Sequence, residues 1–76
     1  MEEKIRDILL RCEGIVPHSK TRRVIVNNYD IIYQALVDEG MYHFVAHTWA
    51  MLELARLHGR NKVEQILNYA EMAPVS

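Results

Sequence analysis

The residues best equipped for chemistry are histidines. His43 and His47 stand four apart, a spacing that aims two imidazoles on one helical face at a single metal ion. His58 lies eleven residues past His47, about three helical turns or ~16 Å along the axis, so it cannot complete the same site. The other donors, Asp38, Glu39, His18 and Cys12, have no diagnostic spacing. The pattern supports a metal alternative at His43 and His47. The commoner arrangement is a partly buried, hydrogen-bonded pair. Protonating all four histidines would move the formal charge from −1 to +3, which makes pH a variable for this chain.

A second cluster is basic. His18-Ser19-Lys20-Thr21-Arg22-Arg23 contains no acid and precedes an expected helix, whose N-terminal N–H groups and dipole favour anions. Together with Arg60 and Lys62 it offers a nucleic-acid alternative. The charge is uneven: residues 14–29 sum to +3 and residues 30–59 to −3. The chain as a whole has a pI near 6.4, whereas nucleic-acid binders are usually basic as domains. The stretch 54–67 resembles the helix-turn-helix motif in part, with Ala55 and Gly59 at the family's four-residue offset. It departs where Arg60 follows the glycine, since the family places an apolar residue there, and Val63 comes about two residues early. The resemblance covers fourteen residues and implies no more than a degenerate hairpin of that kind.

Covalent catalysis finds no support. There is no nucleophile elbow, P-loop or dinucleotide fingerprint. Cys12 falls at a core position, where a thiol serves as a small hydrophobe. A non-enzymatic protein without a cofactor is expected.

Four helical segments must position these residues. The chain has 76 residues, half of them hydrophobic and a quarter charged, which suits one folded domain and leaves no room for a second core. Ile5, Ile8, Leu9 and Cys12 form a helical stripe over 2–13. Arg23, Asn27, Asp30, Gln34 and Asp38 form a narrow polar stripe opposite Ile25, Tyr29, Ile32, Tyr33 and Leu36, which predicts a helix over 21–39 capped by Ser19 or Thr21. The β-branched Val24-Ile25-Val26 favours the alternative, a short extended piece with a helix capped by Asn27 or Asn28. A third helix is expected over 41–58, with Phe44, Val45, Thr48, Met51, Leu52 and Ala55 as its core face. A fourth is expected over 62–72, with Asn61 as cap and Glu64 closing a capping box. The short connections at Gly40 and Gly59 make the last three neighbours. The prediction is an all-α bundle of four helices with the third at its centre.

That third segment carries only two charged residues, Glu53 and Arg56. A helix apolar nearly all round is normally buried in a large core, a membrane or an interface. No apolar run approaches the ~20 residues of a bilayer span, and the acidic start lacks a signal peptide's apolar stretch, so a cytoplasmic protein without membrane contact is expected. With the Phe44–Leu52 side taken as core, Trp49 points outward with Glu53 and Arg56, and Tyr42, Ala46, Ala50 and Leu57 extend an apolar band on the non-core sides. Trp and Arg lead interface hot spots. The expected partner face is therefore Trp49, Tyr42, Arg56, Leu57 and Glu53. The alternative is that segment one covers Trp49. The function expected is a small regulator, inhibitor or adaptor, of the kind carried by phages and mobile elements. It would present helix faces to a protein partner and self-associate as a homodimer.

Overall fold

The computed structural model describes residues 2–68. The elements are α1 (Glu2–Glu13), α2 (Arg22–Asp38), α3 (His43–His58) and the short α4 (Arg60–Val63), which runs into a single π-helical turn at Glu64–Asn68. The architecture is all-α, with α3 packed against both α2 and α4. Residues 69–72 of the expected fourth helix lie outside the described residues.

The polar stripe decides α2 against the β-branched run. Arg23, Asn27, Asp30, Gln34 and Asp38 are all exposed, while Ile25, Ile32 and Leu36 are fully buried. A helix that buries Ile25 in the core overrides the modest strand preference of Val24–Val26. Thr21 caps it, its hydroxyl accepting from the Val24 N–H at 3.4 Å.

The α2–α3 connection is a Schellman turn. The Gly40 N–H bonds the Val37 carbonyl at 2.9 Å and the Met41 N–H bonds the Leu36 carbonyl at 3.3 Å, which satisfies two of the carbonyls that a helix end leaves without partners. Gly40 has φ +99°, open to glycine and strained for other residues. Met41 then packs against the core.

Two expectations need correction. The first concerns the last helix. It begins directly at Arg60 after Gly59 (φ +94°), with no side-chain cap. Asn61 lies inside this helix, and Glu64 pairs with Arg60 at 3.0 Å in place of closing a capping box.

The second concerns the core face of α3. Ala46, Ala50, Leu54 and His58, four residues apart, are buried together with Glu53. The large residues expected inside are outside: Phe44 is 81% exposed and Leu52 57%. The reason is room. The facing side of α2 is filled by Ile25, Ile32 and Leu36, so α3 approaches closely only where its own side chains are small, and close-packed interiors pair large with small. Phe44 in that space would force the helices apart.

The face assignment is testable with two leucines on one helix. Leu54→Ala removes a fully buried side chain and is expected to cost about 2–5 kcal/mol, comparable to the whole ~3–5 kcal/mol margin of a core this size. Leu52→Ala, on the exposed side, should cost less than about 0.5 kcal/mol. Thermal melts followed by circular dichroism separate the two; equal losses would contradict the assignment.

Candidate functional site: an uncovered face of the third helix

α3 has three distinct sides, each set by what packs on it. Toward α2 it presents polar groups that are already engaged. The His47 Nδ1 and the Tyr29 hydroxyl are hydrogen-bonded at 2.6 Å, and His43 Nδ1 is hydrogen-bonded to the Tyr33 hydroxyl. The tyrosine rings stack at 5.6 Å. The pairings run in opposite directions along the two helices, as antiparallel packing requires. Both histidines expected as a metal pair are thus tied to α2 through Nδ1. Among the described residues no group of three or more His, Cys, Asp or Glu is placed to hold a metal ion.

Lower on the same side lies a buried polar contact not expected from the sequence. Asn28 is 0% exposed and His58 1%. The Asn28 Nδ2 donates to the Pro17 carbonyl at 2.8 Å and to His58 Nε2 at 3.1 Å. The contact pins the basic loop against the bundle, helped by the buried Val16. The Asn28 Oδ1 and His58 Nδ1 are buried with no hydrogen-bond partner among the described residues. Burial, with His18 and Lys20 nearby, lowers the His58 pKa. The only hint in the sequence is that Asn28 falls between positions 25 and 32 of the apolar side of α2, where an amide needs partners.

Toward α1, α3 presents Trp49 and Glu53. Trp49 is half-buried and packs on the core, with Ile5, Arg6 and Leu9 beside it around a small cavity. Segment one therefore covers it. Glu53 is buried, and the Arg56 guanidinium binds it through two contacts of 3.1 Å while also binding Glu13 of α1. Burial raises the Glu53 pKa; the hydrogen bond from Glu53 and then Arg56 hold Glu13 low. The Arg56 cation thus bridges two carboxyl groups that would otherwise repel. Of the expected partner face, Trp49 and Glu53 turn inward, Leu57 is half-buried, and Arg56 is exposed but engaged. Tyr42, at the helix start, is 83% exposed.

The third side meets no other element among the described residues. Phe44, Thr48 and Leu52 are exposed along it, with Val45, Met51 and Ala55 half-buried alongside. It carries no charge. The Thr48 hydroxyl donates to the Phe44 carbonyl at 3.0 Å, so its polar atom is satisfied within the helix. Beside it, between α3 and α4, runs a groove of about 410 Å³ whose lining includes Thr48, Met51, Leu52, Ala55 and Val63. Arg60 and Glu64 border it and neutralise each other.

His18, Lys20, Arg22, Arg23 and Lys62 of the basic alternative are all exposed, and Arg60 is paired with Glu64. In the 54–67 stretch, the half corresponding to a recognition helix consists of four α-helical residues and the π-helical turn. Among the described residues no helix is long and apolar enough to cross a membrane. No protein-family model, curated protein or solved structure matches this chain. The described residues form an all-α bundle in which Phe44, Thr48 and Leu52 of α3 share one exposed, uncharged side.

Two predictions test the polar contacts. A histidine whose folded pKa is lowered contributes stability that is complete above its unfolded value of about 6.5 and is lost as pH falls through the lowered value. In chemical denaturation, wild type should therefore lose stability relative to His58→Gln as pH falls from neutral toward about 5; parallel pH curves would refute the role of His58. Arg56→Ala should destabilise by about 1–3 kcal/mol at neutral pH, because Glu53 keeps its burial without its cation. The loss should shrink in acid, where Glu53 is neutral. A loss that does not vary with pH would contradict the electrostatic account.

Proposed function

We propose that this chain is a protein-interaction module, a regulator, inhibitor or adaptor, that acts by presenting the open face of α3 to a protein partner. The observation that carries the reading is the joint exposure of Phe44 and Leu52 on one uncharged helix side next to an apolar groove. Exposed apolar patches of this kind mark association sites. Burying it leaves the Thr48 hydroxyl satisfied within the helix and the Arg60–Glu64 pair intact at the rim. The cation bordering this side, Arg60, is held by Glu64, so the surface suits an apolar protein surface over a phosphate backbone. The reading keeps the central helix as the binding element and moves the contact from Trp49, which α1 covers, to the opposite side. Cys12, the sole cysteine of the chain, is a buried thiol, as suits work in a reducing cytosol.

The test is a charge placed on the face. Tagged wild-type protein is expected to hold a partner, another copy or a different protein, in extracts of the cells that carry the gene. Phe44→Glu and Leu52→Glu should each weaken that association by at least about tenfold, as loss of a central apolar anchor does, with helicity by circular dichroism unchanged. Wild type that associates with nothing, or an association that both variants leave intact, overturns the proposal.

A further inference from the structure

The open face of α3 is built to receive itself. We infer that its occupant is a second copy of this chain, the two α3 helices packing antiparallel about a two-fold axis through Thr48. This inference rests on the interaction-module reading and adds to it a partner and a register.

Three observations carry it. First, the face bears both a projection and the recess to take it. Phe44 stands out near the N-terminal end, and the groove runs from His47 and Thr48 past Met51, Leu52 and Ala55 to Val63, toward the C-terminal end. Phe44 and Leu52 are eight residues apart, ~12 Å along the axis, with Thr48 midway. A two-fold axis at Thr48 therefore brings each Phe44 onto the partner's Leu52 and its groove. This is the isologous condition, in which residue i meets residue j and j meets i. A parallel arrangement would set Phe44 against Phe44 and leave both grooves empty.

Second, the face pairs that this axis generates on either side of Thr48 are apolar: Phe44 with Leu52, and Val45 with Met51. Thr48 at the axis is small, and its hydroxyl is spent on the Phe44 carbonyl, so two helices can approach there without an unsatisfied donor. No charge on either copy opposes contact, and the rim residues Arg60 and Glu64 are already neutralised.

Third, the size of the surface fits a weak pair of identical modules. α3 has 16 residues, about 24 Å of helix. One such face with its groove reaches the low end of interface areas, below about 1,200 Å² in total. An interface of that size is expected to be transient. Sedimentation of wild type should show a dimer whose population rises with protein concentration.

Cysteine cross-linking fixes both partner and register. Cys12 is buried, so wild type serves as the unreactive control. Under mild oxidation Thr48→Cys should give a covalent dimer. Phe44→Cys and Leu52→Cys should each cross-link poorly alone, yet form a mixed disulfide when combined, roughly tenfold faster than either alone, since proximity raises the effective thiol concentration. Each mixed dimer retains one intact Phe44–Leu52 contact, so the variants do not abolish the pairing they report. A wild-type monomer at the highest workable concentration together with an unlinked Thr48→Cys protein overturns the second-copy inference. It leaves the interaction-module reading to be judged by the capture experiment with Phe44→Glu and Leu52→Glu. Phe44→Cys that cross-links alone as fast as the mixture overturns the antiparallel register.

Discussion

Close approach of α3 to α2 is the constraint on which the rest of the molecule depends. The α2 side of the contact is built from Ile25, Ile32 and Leu36, all fully buried. Only small side chains opposite them let the backbones come near, and Ala46 and Ala50 supply these. Once that side is fixed, the helical period fixes every other residue of α3. His43 and His47 meet the α2 tyrosines, Glu53 and Trp49 meet α1, and Phe44, Thr48 and Leu52 are left outward. The exposed apolar face follows directly from putting alanine inside.

A core this small cannot rely on apolar burial alone, because ordering the chain opposes nearly all of it. Two polar contacts, one buried and one at the surface, tie distant segments together. Asn28 joins α2, the Pro17 carbonyl of the loop and His58 at the end of α3. Arg56 joins Glu53 within α3 to Glu13 at the end of α1. Contacts of this type add little net stability and strongly disfavour arrangements in which their groups are buried without partners. Here they hold the 14–21 loop and α1 in place around α3. The surface pairs of Glu39 with Lys4 and Arg11, at 3.4 and 3.9 Å, are solvent-exposed and contribute far less.

The balance between burial and exposure shapes the outer side of α3. A helix lacking charge on its outer side would ordinarily be covered by a larger protein. Among the described residues, α4 is four residues long and turns at Gly59 to line a groove beside α3, and Phe44 and Leu52 are exposed next to it.

By itself the sequence determined the helices and the polarity of two of them. The apolar spacing of Ile5, Ile8, Leu9 and Cys12 and the polar stripe from Arg23 to Asp38 are local periodicities. A period is a property of one segment and needs no partner to be read. The positions of Gly40 and Gly59 marked the turns for the same local reason. It also showed that the third helix carries more apolar surface than a chain this short can bury. Which side of that helix faces inward was decided only in three dimensions. Phe44 and Leu52 look like core when size and hydrophobicity are counted along one strip, whereas the true inner strip is selected by complementarity to the isoleucines of α2. The partners of Asn28 and the contact of Arg56 with Glu13 were equally beyond reach, since they join residues 11 to 43 positions apart that only folding brings together. The last helix was misplaced because Arg60 and Glu64 satisfy each other across one turn, a pairing that competes with the capping box and wins once Gly59 has set the direction of the chain.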